Sequence, residues 1–251
     1  MSSALIGHTG FVGTNLRAAV PFDALVNSTN VEELRGRSFD LIVCAGVRAE
    51  KWKANRDPDG DLAAIERLIT VLREVRALHF VLVSTVDVFE RPLGVDESTH
   101  ADARHPYGRH RRLLEALCAH EFPTLIARLP ALFGPGLKKN ALFDLLHDNH
   151  VDKIHPDSSY QFYDLRWLWP DVERARAAGI QLLHLATEPI AMREIASRCF
   201  GRELRAPPDA PARYDVRSRH AAVWGAKDGY LRPRDEVLSA LDAFVRQERG
   251  P

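Results

Sequence analysis

Three glycines spaced three apart, Gly7, Gly10 and Gly13, follow a short apolar run, Ala4–Ile6, and open a segment with helical character. No other feature narrows the fold as far. The first glycine permits a tight turn, the second lets the backbone approach a pyrophosphate, and the third lets the helix pack closely on the strand. The helix start adds backbone N–H groups and a partial positive charge. Strand, glycine loop and helix in this order predict a dinucleotide-binding unit with Gly7, His8, Thr9, Gly10, Phe11, Val12 and Gly13 as its contacts. The alternative is a purely structural turn.

Five further strand candidates follow: Ala24–Val26, Asp40–Ala45, His79–Ser84, Thr124–Leu129 and Gln181–Ala186. Helix-period segments lie between them. In 61–78 the apolar residues Leu62, Ile65, Leu68, Leu72, Val75 and Leu78 recur every three to four positions. Further helices are expected over 107–120, 170–178 and 191–200, with a last one after Pro233. Such alternation predicts an α/β fold, a Rossmann-type doubly wound parallel sheet of about six to seven strands. The chain reads as a single domain, 1–251, with a small substrate lobe drawn from roughly 136–163 and 201–251.

Composition removes whole classes of function. The 251 residues carry 34 basic and 34 acidic side chains, a formal net charge of +0. Binding to nucleic acid or an anionic membrane needs an excess of cations, so neither is expected. Cys44, Cys118 and Cys199 are odd in number and far apart, which predicts core packing and neither a disulfide framework nor a zinc site. No metal-ligand spacing occurs among the histidines. No uncharged apolar run reaches the ~18 residues of a membrane span. The start of the chain has no signal-peptide pattern. A cytoplasmic enzyme with a small-molecule substrate is expected, with a homodimer as its assembly.

The His79–Ser84 strand runs out in Ser84 and Thr85, which places two hydroxyls at the carboxyl edge where open sheets bind ligands. Pro106 then opens a helix carrying Tyr107 and Arg111. Residues four apart share a helix face, so phenol and cation are neighbours. Bringing a phenol from ~10 toward neutrality needs about 4 kcal/mol of preferential phenolate stabilisation. A fixed charge beside it and a bound cofactor could supply that. Taken alone, Tyr107 is equally a surface residue on a basic helix.

The glycine loop, the Ser84-Thr85 strand end, Tyr107 with its cation and the segment Ala127-Arg-Leu-Pro-Ala-Leu-Phe-Gly134-Pro-Gly136 occur in one order. Together they resemble the extended short-chain dehydrogenase/reductase family, the NAD-dependent epimerase/dehydratases, over roughly residues 4–200. The resemblance implies that the glycine loop holds the pyrophosphate of NAD or NADP. It also implies that Thr85, with Ser84 beside it, orients a substrate oxygen, and that Tyr107 is the acid/base. Asn27, Ser28, Ala45 and Gly46, at the ends of the second and third strands, complete the expected cofactor contacts.

Two departures stand out. The family's fourth residue after the tyrosine is lysine, and here it is Arg111. Arginine keeps the charge and can donate to a ribose but is effectively never deprotonated. In addition, one strand candidate lies between the glycine-loop helix and Asp40–Ala45 where the family has two. The second strand is followed by Asn27-Ser28-Thr29-Asn30 with no carboxylate, and this tilts the expectation toward NADP, with Arg35 or Arg37 in reach of a 2′-phosphate. A polar loop capping the next helix explains those residues as well.

Of the 34 basic residues 28 are arginine, yet four of the six lysines fall in two segments: Lys51 and Lys53 with Asn55, and Lys138-Lys139-Asn140. Both are read as loops following carboxyl ends of strands, which predicts an anionic substrate held there. Solvation of exposed loops is the alternative. The aromatic run Tyr160–Tyr163, Trp167 and Trp169 could floor a substrate pocket or pack a core. The expected function is hydride transfer at a sugar-like hydroxyl carbon, as net redox, epimerisation or dehydration. A non-catalytic dinucleotide sensor is the competing reading.

Overall fold

The computed structural model describes residues 2–250. The chain divides into two compact units. The first takes in the chain up to Glu90, His100–Arg128 and Leu168–Leu183; the second takes in Arg91–Thr99, Leu129–Trp167 and the chain from His184 onward.

The six apolar runs become one sheet of β1 (Ser3–Ile6), β2 (Ala24–Val26), β3 (Ser38–Cys44), β4 (Arg76–Thr85), β5 (Thr124–Leu129) and β6 (Leu182–His184). Their order is β6-β5-β4-β3-β1-β2, so the chain moves outward from β1 in both directions, the doubly wound arrangement. The pairings β2–β1, β1–β3 and β3–β4 are parallel. Leu41–Cys44 and Phe80–Leu82 are buried without alternation, as strands covered on both faces must be. Between α1 (Phe11–Ala19) and β3 the chain makes only β2 and a short 3-10 turn, Val31–Leu34.

Helix bounds depart from the periodicity in two places. The helix read over 61–78 is α3, Pro58–Leu72. Asp57 accepts from the Gly60 N–H and Pro58 takes the first helical position, which moves the start back. At the other end the Arg76 N–H bonds to the Arg37 carbonyl, so β4 begins there, and Leu78 lies on that strand 64% exposed. The first lysine segment is no loop but α2, Lys51–Arg56. By contrast α4, Pro106–Glu121, and α6, Leu168–Ala177, follow the pattern closely. Cys44 and Cys118 are fully buried, and burial pushes the Cys44 thiol up to about 11.

The second unit packs α5 (Ala141–Leu146), α7 (Met192–Phe200) and α8 (Arg234–Arg249) around Phe133, Phe162, Ile195, Leu241 and Phe244. Tyr163 is fully buried with Trp167 edge-on at 5.5 Å, so this part of the aromatic run is core. Trp169 belongs to the first unit, edge-on to Phe22. Among the described residues no helix is long and apolar enough to cross a membrane, and no group of three or more His, Cys, Asp or Glu could hold a metal ion.

Candidate active site

The glycine loop joins β1 to α1. Gly7 has φ +85°, and a Cβ there would lie 2.5 Å from the Ala45 carbonyl oxygen. A Cβ on Gly13 would lie 2.1 Å from the Gly7 carbonyl oxygen. Both are therefore glycine for the sake of the protein's own packing. Gly10 differs. Its φ of −78° suits any residue, and a Cβ would meet only the Gly7 oxygen at 3.4 Å. Nothing inside the described chain requires glycine at this position, whereas a ligand lying against the backbone would.

Gly10 is also the N-cap of α1, where no side chain caps the helix and no acidic residue occupies the first turn. The positive end of a nine-residue helix thus faces out of the sheet edge with Phe11 and Val12 at its start. His8 Nδ1 is buried with no hydrogen-bond partner, while its Nε2 lies 3.5 Å from Asn27 Nδ2. An open backbone cradle, an uncapped helix start and an orphaned ring nitrogen fit a dinucleotide pyrophosphate.

Beside the loop lies a cavity of about 730 Å³ lined by Gly7, Asn27, Ser28 and Gly46 on the sheet side and by Ala64, Ile65 and Leu68 of α3. Arg48, Lys53, Arg56 and Arg67 also line it. Neither Arg35 nor Arg37 does: Arg35 pairs with Glu32 and Glu74, and the Arg37 guanidinium lies over the Phe39 ring. Asn27 Oδ1 accepts from the Thr29 N–H and hydroxyl, and Asn30 Oδ1 accepts from the Asn27 N–H, so this loop ties itself into a turn. Ala45 contributes the carbonyl that packs on Gly7.

At the other end, β4 and α4 bring Thr85 and Tyr107 together. Thr85 lies close enough to the Tyr107 phenol to lower its pKa, and its Oγ1 accepts from the Asp87 N–H at 3.1 Å. Ser84 faces the opposite way, being buried and donating to Glu115 Oε1 at 2.5 Å. Arg128 donates to both oxygens of the same carboxylate, at 3.0 and 2.7 Å. The pleat explains the split, because adjacent strand residues point to opposite faces. Ser84 is thereby a member of a packed ion-pair cluster and does not stand beside Thr85 to orient a substrate oxygen, as expected.

Arg111 lies over the face of Tyr107, its guanidinium carbon 3.9 Å from the ring centroid. The expected neighbourhood is present, but the bonding differs from a ribose-binding cation. Both terminal nitrogens pair with the two oxygens of Asp61, and they also donate to the Arg48 and Tyr107 carbonyls. His110 Nδ1 lies 2.8 Å from Asp61 Oδ2. Burial pushes the Asp61 pKa up, but the bonds from Arg111 and His110 outweigh it and hold the carboxyl below its usual range. Tyr107 is pushed above its usual range, chiefly by burial and further by the Asp87 and Asp61 charges, against the opposing pull of Arg111 and Thr85.

The remaining expected contacts are dispersed. Lys51 Nζ pairs with Asp87 at 2.8 Å, and Lys53 pairs with Glu50 and lies over the Trp52 ring. Asn55 Oδ1 accepts the Tyr107 N–H at 3.0 Å, satisfying an open donor at the start of α4. Asn140 caps α5, accepting from the Leu142 and Phe143 N–H groups and donating to the Leu132 carbonyl. Lys138 and Lys139 are exposed on the second unit. Asp61, Asp87, Glu115 and Arg128 escape the sequence reading because each meets its partner across elements, and no local spacing announces such a pair.

The sequence profile of the NAD dependent epimerase/dehydratase family matches residues 22–155, beginning after the glycine loop. No curated protein sequence matches the chain. Among solved structures, UDP-glucuronic acid 4-epimerase from Bacillus cereus, in complex with UDP-glucuronic acid and NAD, is similar at 14% identity, with 99% of each chain covered and a TM-score of 0.73. The dTDP-4-dehydrorhamnose reductase of Clostridium acetobutylicum gives 15% identity, 100% of each chain and a TM-score of 0.75. RMD from Pseudomonas aeruginosa, complexed with NADPH, gives 19%, 97% of this chain and 99% of that one, and 0.69. The fold is shared with these enzymes, and the profile spans more than half the chain: this protein belongs to the NAD dependent epimerase/dehydratase family.

Proposed function

We propose that the chain is an NAD(P)-dependent oxidoreductase acting at a carbinol or carbonyl carbon of a small, anionic, sugar-like substrate. The observation that carries this reading is the placement of Tyr107, at the start of α4 with Arg111 over its ring, beside Thr85 at the carboxyl end of β4. A bound nicotinamide dinucleotide supplies the hydride exchange that such a site needs. The backbone around Gly10 and the start of α1 hold the pyrophosphate, and the cavity beside Asn27 and Ser28 takes the adenosine end. Asn27 and Ser28 carry no carboxylate to repel a 2′-phosphate, and with Arg48 on the cavity wall this favours NADP.

Thr85 orients the substrate oxygen, and Tyr107 exchanges the proton with it. Lys51 and Lys53, in the same unit as Tyr107, are the proposed contacts for a substrate anion. The net outcome is redox, or a transient oxidation leading to epimerisation or dehydration. Titration with NAD+, NADH, NADP+ and NADPH by calorimetry and fluorescence tests the reading, and failure to bind any of the four would sink it.

A second reading is favoured by the bonding of Arg111, whose terminal donors are already engaged by Asp61 and two carbonyls. A non-catalytic dinucleotide-binding protein has no need of a cation free for the nicotinamide ribose. Dinucleotide binding without turnover of any 4-keto or 4-hydroxy nucleotide sugar would support it.

A further inference from the structure

The helix that carries Tyr107 begins on a histidine. His105 is the N-cap of α4, and its Nδ1 accepts the Gly108 N–H at 3.1 Å. The other donors of the first turn are settled independently. Pro106 has none, the Tyr107 N–H goes to Asn55 Oδ1, and the Arg109 N–H goes to the His105 carbonyl. Gly108 lets the ring lie against the backbone, since a Cβ there would stand 3.0 Å from His105 Cε1 and 2.4 Å from the Asp87 carbonyl oxygen. The His105 ring lies 24° from parallel to that of Tyr107, with centroids 6.4 Å apart. An imidazole accepts through Nδ1 only while that nitrogen is bare, so the cap exists in the neutral ring with its proton on Nε2. Serine, threonine and asparagine caps do not titrate; a histidine cap does.

The groups facing the ring are Lys51 of α2, Asp87 and Glu90 of the segment after β4, and Arg111 of α4, with the Tyr107 ring beside it. Burial is the largest influence and Lys51 the next, both against the charged ring and ahead of the pull of Asp87 and Glu90; Arg111 opposes it too. His105 therefore takes up its proton below the ordinary 6.5. A charged ring could not accept the Gly108 N–H, and it would set a cation at the positive end of the helix.

We propose that His105 is a positioning residue: its neutral ring seats the first turn of α4, and so Tyr107, and protonation of the ring releases that turn. The proton comes from solvent to the Nδ1 lone pair that held the Gly108 N–H, and no other group takes part. The first turn is therefore fully seated at neutral pH and loses its hold as pH falls through the lowered value of the folded protein. A site working through Tyr107 loses its geometry on the acid side of 6.5.

The consequence for catalysis rests on the oxidoreductase reading, but the test is made on the protein without dinucleotide. Absence of dinucleotide binding would therefore remove that reading and leave the cap result standing. Nuclear magnetic resonance follows the rings of the 11 histidines, with His105 identified by its loss in His105→Asn. Hydrogen exchange, corrected for the intrinsic rate at each pH, follows the Gly108 amide. In the unaltered protein His105 should titrate below 6.5. Gly108 protection should fall with the same midpoint by about fivefold or more, the contribution of a typical cap. In His105→Asn, whose carboxamide caps without titrating, that step should vanish and protection should stay at its neutral-pH level. The same step in His105→Asn, or a ring that titrates at 6.5 or above, overturns the proposal. If the variant does not fold, the unaltered protein decides alone through its assigned His105 resonances. A Gly108 step whose midpoint departs from that of the ring, or no step at all, then overturns it.

Discussion

The two ends of the site in the first unit are built on opposite plans. Around Gly10 the chain offers backbone, with no side-chain cap, no nearby carboxylate in the helix and open space where a Cβ would stand. Around Tyr107 the charged groups are engaged with one another, Arg111 and His110 with Asp61 and Lys51 with Asp87. The first end is shaped for a ligand that brings its own negative charge. The second is a closed network whose charges balance before any ligand arrives. A backbone cradle depends on a few glycines; a closed network depends on partners from several elements, and it fails in a graded way.

The sharpest break is expected at Gly13. Gly13→Ala forces a Cβ to within 2.1 Å of backbone, so the loop must shift, with a loss of about 3 kcal/mol or more and no dinucleotide binding, read by denaturant unfolding and calorimetry. Tyr107→Phe comes next: turnover should fall by about 10²–10⁴ with dinucleotide affinity unchanged, since only the proton-exchanging oxygen is lost. Arg128→Met leaves the Glu115 carboxylate buried without its bidentate partner and should cost about 3–5 kcal/mol in denaturant unfolding. Gly10→Ala is the diagnostic contrast to Gly13. Its unfolding free energy should change by less than about 1 kcal/mol while dinucleotide affinity drops roughly tenfold, because the methyl group stands where the ligand lies.

The smallest effect is in acid. Asp61 titrates below its ordinary 3.8 in the folded protein. Its contribution to stability is therefore full above that value and is lost as pH falls through the lower folded pKa. The Asp61→Asn protein should show a flatter loss of stability below about pH 4 than the unaltered chain, measured by denaturant midpoints across pH.

What the sequence discloses about this molecule follows the range of the forces involved. All six sheet strands are readable because a strand buried on both faces must be a continuous apolar run, a local signal. The glycine loop is readable for the same reason, its three positions lying within one turn of chain. The helix start at Pro58 was within reach too, since Asp57 and Pro58 are a cap and a first-turn residue side by side. The end of α3 was not, because the apolar spacing continues through Val75 and Leu78 after the ladder to β3 has taken over. Arg111 could be placed beside Tyr107 from helix geometry alone. That its charge is taken by Asp61, fifty residues earlier, could not, because ion pairing between helices leaves no periodicity. Ser84 shows the finer limit: the alternation of a strand says one of two hydroxyls turns away, but not which.

The short strands at the two ends of the sheet have a consequence for behaviour in concentrated solution. β2 and β6 are three residues each, and they are the outermost strands. A rim of unpaired N–H and C=O groups is a template onto which another chain can add, and the hazard grows with its length. At the β2 side the sheet ends on an edge that runs straight into the Asn27–Asn30 turn, whose side chains bond to its own backbone. Both edges of the sheet are thus too short to offer a long template for edge-to-edge pairing.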